Sequence, residues 1–324
     1  MNYLVTGGAG FIGSNLVDHL LSRDPYCNVT VLDKLTYAGY RGNLELAMKS
    51  ERVNFVWGDV CDPTTVRHLC ERANIVIHAA AESHVDRSIS SPSAFGATNF
   101  MGTLVMLEAV KAAEVDLFVY ISTDEVYGSR TTGSFVETDS INPRNPYSAT
   151  KAGADRLVSA YHETYGLNTI IIRPSNNYGP RQFPEKLIPF FVWKAMRGED
   201  LPVYGNGEQV RDWLHVYDHC RAIGKIITKG TVGGVYNIPG MNERKNIEVI
   251  RIILDELRKP ESLIKFVEDR VGHDSRYAID GSALEALGWY PRIKWEDGIR
   301  ETIRWYTVNK NWLDDAFSRA NKEA

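Results

Sequence analysis

Tyr147 and Lys151 stand four residues apart in Asn145-Pro146-Tyr147-Ser148-Ala149-Thr150-Lys151. Asn145 suits an N-cap and Pro146 the first helical position, so the spacing predicts a helix with the phenol and the ammonium on one face. A phenol titrates near ~10 and is a poor base at neutral pH, but nearby positive charge favours its ionised form. Tyr147 can then deprotonate a hydroxyl. Upstream, Ser122-Thr123-Asp124-Glu125-Val126-Tyr127-Gly128 sets one hydroxyl beside two adjacent carboxyl groups. The Thr123 hydroxyl can share a substrate hydroxyl with Tyr147. Asp124 and Glu125 can divide acid and base work if their surroundings push their pKa values apart. In isolation, a solvated Tyr-Lys pair and an Asp capping a helical turn would be the plainer readings.

The elements around them change that balance. Apolar runs at 3–6, 29–32, 53–57, 75–79, 117–122 and 169–172 read as strands, with helical patterns between them. They are rich in Val, Ile and Leu without in/out alternation, which predicts a parallel, doubly wound α/β sheet of Rossmann type covered on both faces. The first strand ends in Gly7-Gly8-Ala9-Gly10-Phe11-Ile12-Gly13 and leads into a helical pattern. Gly7 permits a tight turn, Gly10 lets backbone N–H groups approach a pyrophosphate, and Gly13 lets helix and strand pack closely. Asp33 follows twenty residues after Gly13, at the end of the second strand. An acidic side chain there accepts hydrogen bonds from an adenosine ribose and repels a 2′-phosphate, so the expected cofactor is NAD rather than NADP, with Lys34 as the one opposing charge. Asp59 and Val60, and the small residues Ala79, Ala80 and Ala81, stand at later strand ends where a dinucleotide would lie.

After Arg173-Pro174 the rhythm breaks at Pro180, Pro184, Pro189 and Pro202. Residues 1–175 are therefore expected to form the NAD-binding domain, with the chain returning to it within 205–240, and 176–324 mainly the substrate domain, a smaller mixed α/β unit. The uncharged stretch 88–107 reads as a buried loop and helix rather than a membrane span. The segment 296–324 reads as a helix with a polar tail. His215 and His219 invite a metal reading, but Asp218 suits an N-cap there and no metal is expected. With 37 basic and 41 acidic side chains, the net charge of −4 provides no positive field for nucleic acid or anionic lipid. Four cysteines without a CxxC pair, and an N-terminus without a basic, apolar leader, suit the cytoplasm.

Six segments together, TGGAGFIG at 6–13, AAESHVDRSI at 80–89, STDEVYG at 122–128, NPYSATKAGAD at 145–155, RPSNNYGPRQFPEKLIP at 173–189 and GHDSRYAID at 272–280, carry a closer likeness. The chain resembles the dTDP-glucose 4,6-dehydratase family of the extended short-chain dehydrogenase/reductase superfamily over nearly its whole length. Thr123-Asp124-Glu125 is the specific part, because related epimerases usually carry small or hydroxyl residues at the last two positions. The resemblance implies that bound NAD accepts a hydride from C4 of the glucose while Tyr147, with Thr123 and Lys151, removes the 4-hydroxyl proton. Glu125 would then take the C5 proton, Asp124 would protonate the departing 6-hydroxyl, and the hydride would return to C6.

The same resemblance implies cofactor contacts from Gly7, Gly10, Phe11, Ile12, Gly13, Asp33, Lys34, Thr36, Asp59, Val60, Ala79, Ala80, Ala81, Ser83, Thr98, Ser122, Tyr147, Lys151 and Asn177. It implies nucleotide-sugar contacts from Ser83, Thr123, Asn176, Lys186, Leu187, Pro202, Tyr204, Arg211, Asn246, His273 and Tyr277. The family often has Arg-Pro-Gly-His-Asp where this chain has Arg270-Val271-Gly272-His273-Asp274, which leaves that loop less constrained. A homodimer is expected from apolar residues on more than one face of the 94–107 and 147–165 segments. Alternatives left open are a UDP- or CDP-glucose dehydratase, a UDP-glucuronate decarboxylase, a 4-epimerase and a non-catalytic NAD-binding sensor.

Overall fold

The computed structural model describes residues 1–269 and 273–322; Arg270, Val271 and Gly272 of the loop noted above lie outside the described residues. In chain order the strands are β1 (Asn2–Thr6), β2 (Asn28–Asp33), β3 (Val53–Trp57), β4 (Ile75–His78), β5 (Leu117–Ile121), β6 (Thr169–Pro174), β7 (Asn176–Tyr178), β8 (Leu201–Tyr204), β9 (Val210–His215), β10 (Val235–Ile238), β11 (Glu243–Lys245) and β12 (Ile264–Val267). Seven of them form one sheet in the order β10-β6-β5-β4-β1-β2-β3, and every pair in it is parallel. This is the doubly wound α/β sheet that the apolar runs predicted. β4, β5 and β6 are buried throughout because helices cover both faces. One face packs Val5, Val31, Ile77, Val119 and Ile172 against the Phe11–Arg23 and Val216–Lys229 helices; the other packs Leu4, Val76, Phe118 and Ile171 against Gly102–Ala112 and Pro146–Tyr165.

A third core, holding Tyr178, Phe191, Trp213, Ile250, Trp295 and Tyr306, lies under the helices Leu187–Arg197, Asn246–Glu256 and Trp295–Val308. Smaller sheets β11-β9-β7 and β12-β8 border it.

Three local readings are corrected. The 88–107 stretch is not a buried loop and helix: helical turns run from Val85–Ser90, with a break at Ser91, through Pro92–Phe95 and a π-helical turn, Gly96–Met101, into Gly102–Ala112, and Ile89 to Ala94 are exposed. The polar tail is a second helix, Lys310–Lys322, set off at Asn309. Asp218 is not the cap of its helix. His215 is, accepting from Tyr217 N–H, while Asp218 in the first turn takes the N–H groups of Arg292 and Ile293 at 2.9 and 2.8 Å. An acid near a helix start is favourable at either position, so sequence could not separate them. Among the described residues no helix is long and apolar enough to cross a membrane.

Candidate active site

The carboxyl ends of β1, β2, β4, β5 and β6 open onto one continuous cleft, where ligands of doubly wound folds sit. Gly7 takes φ +68°, and a Cβ there would stand 2.7 Å from the Ala80 Cα. A Cβ on Gly13 would run into the Gly7 carbonyl. The Phe11–Arg23 helix begins at Gly10, which has no side chain to cap it, so its first N–H groups remain available to an anion in the cleft. This cradle suits a dinucleotide diphosphate. Asp33 is buried at the end of β2, its two oxygens accepting from Ala9 N–H at 2.9 Å and Leu35 N–H at 2.8 Å. Burial raises its pKa and these N–H groups oppose the rise. Lys34 is turned onto Asp59, Nζ to Oδ2 2.7 Å, rather than toward the Asp33 carboxyl. Every residue expected at the cofactor lines this cleft.

The helix Pro146–Tyr165 starts as its sequence requires. Asn145 Oδ1 accepts from Ser148 N–H at 2.8 Å, Ser148 Oγ accepts from Asn145 N–H at 3.2 Å, and Pro146 opens the first turn. Farther along, the helix is pinned to β6. Asp155 and Arg173, both wholly buried, form a two-pronged ion pair at 2.9 and 2.8 Å, and Arg173 also donates to Tyr127 Oη at 2.6 Å. Tyr147 and Lys151 thus face the cleft from a fixed rod. Lys151 Nζ donates to the Ile121 carbonyl at 2.5 Å and lies 4.3 Å from the Tyr120 ring centre. Burial lowers its pKa to about 7, with Asp155 pulling the other way. Burial raises the Tyr147 phenol, the Glu125 charge adds to that, and the Thr123 hydroxyl opposes it.

Thr123 caps the 3₁₀ turn Asp124–Tyr127 by accepting from Glu125 N–H at 3.3 Å, so the cap is Thr123 and not Asp124. Its hydroxyl also donates to Asp124 Oδ1 at 3.3 Å. Asp124 is 3% exposed, and its Oδ2 has no hydrogen-bond partner among the described residues. Burial first, then the charges of Glu125 and Asp212, push its pKa well above the usual carboxylate range, against Arg211 and Thr123. That direction favours the protonated form of Asp124, in a cleft that Glu125 also lines.

Residues 4–302 match the family described as GDP-mannose 4,6 dehydratase. The chain belongs to that family. A dTDP-glucose 4,6-dehydratase of Actinoplanes sp. is 48% identical over 318 residues, covering 96% of this chain and 99% of the relative. The low-salt glycan biosynthesis protein Agl12 of Haloferax volcanii is 50% identical over 306 residues, covering 94% and 98%. The crystal structure of the dTDP-glucose 4,6-dehydratase DesIV from Streptomyces venezuelae, with NAD and dTDP bound, has 46% identity and a TM-score of 0.96 over 98% of this chain and 100% of that one. The Thermus thermophilus UDP-glucose 4-epimerase complexed with NAD reaches 0.87 at 31% identity, over 95% and 99%. Epimerases and dehydratases share this fold, so the reaction must be argued from the site.

The residues expected at the nucleotide sugar divide. Ser83, Thr123, Asn176 and Lys186 line the cleft, with Lys186 Nζ donating to the Ser83 carbonyl at 2.6 Å. Leu187, Pro202, Tyr204, Arg211, Asn246, His273 and Tyr277 do not. Arg211 is buried: it donates to the Asp274 carbonyl at 3.0 Å and lies 4.4 Å over the Tyr277 ring. Tyr277 Oη donates to Asp274 Oδ2 at 2.6 Å. Asp124 feels the Arg211 charge and Tyr277 feels that of Glu125, so this pair stands within electrostatic reach of the carboxyls. Pro202 and Tyr204 lie on β8, with the Tyr204 ring edge-on to His273 at 6.2 Å. Leu187 and Asn246 open two helices of the third core.

Sequence reasoning passed over Glu82, Gln182, Phe183 and Glu185, which also line the cleft. All four fall in two of the six segments quoted above, and that was the signal available. His215 Nδ1 accepts from Tyr217 N–H as the cap of its helix and His219 Nδ1 pairs with Asn177 Oδ1 at 2.9 Å; among the described residues no three His, Cys, Asp or Glu side chains gather as a metal would need.

The state of Lys151 gives a stability prediction. Its folded pKa of about 7 is below the ~10.4 of an unfolded lysine, so between those values the unfolded chain holds the extra proton and stability rises with pH. Melting temperatures across pH 7 to 10 should climb in the wild type relative to Lys151→Met. Parallel curves would refute the burial argument.

Proposed function

We propose that this chain is an NAD-dependent dTDP-glucose 4,6-dehydratase, which converts dTDP-glucose to dTDP-4-keto-6-deoxyglucose and water. The observation that carries the reading is the buried Asp124, its pKa pushed upward by that burial, beside Glu125 at the mouth of β5, with Tyr147 and Lys151 on the facing helix. A 4-epimerase needs no such acid–base pair, and a sensor needs none of the five groups. NAD, held by the glycine cradle and Asp33, would when bound supply the acceptor for the C4 hydride and its donor at C6. Tyr147, with Thr123 and Lys151 beside it, removes the proton from the 4-hydroxyl. Glu125 takes the C5 proton made acidic by the 4-keto group. Asp124 gives its proton to the 6-hydroxyl as it leaves.

Lys186 and Arg211 suit the diphosphate by charge, and Asn176 and Asn246 present side-chain oxygens without partners among the described residues. Residues 1–175 with β10 hold the cofactor, and the third core with its small sheets holds the nucleotide sugar. The working form is a cytoplasmic homodimer, serving deoxysugar formation such as that of rhamnose; a monomeric mass in solution would refute the dimer.

Mass spectrometry of products from dTDP-glucose, UDP-glucose, CDP-glucose and UDP-glucuronate tests the reaction. Loss of one water from dTDP-glucose is expected. Absence of water loss from every glucose substrate, or carbon dioxide loss from the glucuronate, would overturn the reading.

A further inference from the structure

Ala9 lies inside the glycine loop, and both of its backbone polar groups are held. Its N–H donates to Asp33 Oδ2 at 2.9 Å, and its carbonyl accepts from Tyr40 N–H at 3.1 Å and Asn43 Nδ2 at 2.9 Å. Gly10 follows directly, so fixing Ala9 fixes the peptide that enters the uncapped helix N-terminus, where a diphosphate would meet its donors. Asn43 is immobilised in turn. It is buried, its Oδ1 accepts from Trp312 Nε1 at 2.8 Å, and its carbonyl accepts from Arg181 Nη1 at 2.7 Å. The indole N–H can only donate, which turns Oδ1 toward Trp312 and leaves Nδ2 facing the Ala9 carbonyl.

Trp312 belongs to the helix Lys310–Lys322. That helix touches the same loop again: the Arg319 guanidinium lies 4.1 Å over the Tyr40 ring and donates to the Gly39 carbonyl at 3.2 Å. Gly39 itself lines the cleft. The last helix therefore reaches the Asp33 end of the cleft, away from the acid–base groups.

We infer that Asn43 is a positioning residue for the cofactor diphosphate, and that Trp312, by orienting the Asn43 amide, sets how slowly the dinucleotide leaves. This rests on the reading of the cleft as an NAD site. A cofactor restored at the end of each turnover has no chemical need to depart, and a loop held in its binding shape gives up less freedom on binding.

The test uses the full chain loaded with NAD and follows exchange against excess isotopically labelled NAD, alongside the melting temperature of the NAD-stripped protein. Trp312→Phe keeps a ring to pack against Trp305 and Tyr306 and removes one N–H. Release should quicken about fivefold, the effect of one hydrogen bond, with the kcat at saturating NAD unchanged and the stripped protein's melting temperature lowered by no more than a few degrees, the cost of the same bond in the unloaded chain. Asn43→Ala, which loses two, should release NAD about thirtyfold faster. Wild-type release from Trp312→Phe overturns the inference even where Asn43→Ala fails to fold. Faster release with the stripped protein's melting temperature lowered by about ten degrees or more also overturns it, because that exceeds one hydrogen bond and marks general support of the fold. A wild-type chain that takes up no NAD defeats the reading of the cleft itself, whereas a loaded wild type with indistinguishable variants defeats this inference alone.

Discussion

Asp124→Asn should oxidise dTDP-glucose at C4 and then stall, with reduced nicotinamide accumulating in a single turnover and product formation falling about 10²- to 10⁴-fold, the range for loss of a general acid. The substitution is nearly isosteric. It keeps an oxygen to accept from the Thr123 hydroxyl at the Oδ1 position and introduces no charge into a site that is 3% exposed. What it removes is a proton with somewhere to go. In the wild type, burial first and then the charges of Glu125 and Asp212 push the Asp124 pKa upward and favour its protonated form, with Oδ2 buried and without a partner among the described residues. An amide can hold a departing hydroxyl by a hydrogen bond but cannot protonate it. Single-turnover absorbance that shows oxidation and dehydration abolished together would remove Asp124 from the elimination step.

Much of this site was legible because its signals are local. A Gly-rich turn, a Tyr and Lys one helical turn apart, and Val, Ile and Leu runs buried on both faces each report on a few neighbouring residues, and each element formed close to its expected bounds. The contacts that tie elements together were not legible. Asn43 and Trp312 meet across 269 residues of chain, and Asp155 meets Arg173 only because β6 runs beside the helix. Nothing near Asn43 in sequence distinguishes it from any other polar residue of a loop. Arg211 and Asp212 show the same limit: two adjacent charges carry no local sign of burial, yet both are buried, Arg211 on the Asp274 carbonyl and Asp212 on Ser175 Oγ and the N–H groups of Gly240 and Asn242. Local spacing reveals which groups can do chemistry; burial, which sets their proton affinity, is a property of the assembled fold.

Tyr147→Phe should fail earlier than Asp124→Asn. No reduced nicotinamide should appear and turnover should fall by about 10³-fold or more, because the 4-hydroxyl keeps its proton and hydride cannot leave C4. The ring packs edge-on against Phe95 at 6.4 Å, a contact that phenylalanine retains, so the folded protein should be unchanged in melting temperature. The electrostatics of the cleft make this a demanding role. Burial raises the Tyr147 phenol and lowers Lys151 to about 7, so it disfavours the charged form of each. Positive charge brought beside the phenol would oppose that rise and favour its ionised form. Binding of dTDP-glucose to NAD-loaded Tyr147→Phe should stay near wild type. Reduced nicotinamide formed at the wild-type rate in this variant would show that another group takes the 4-hydroxyl proton.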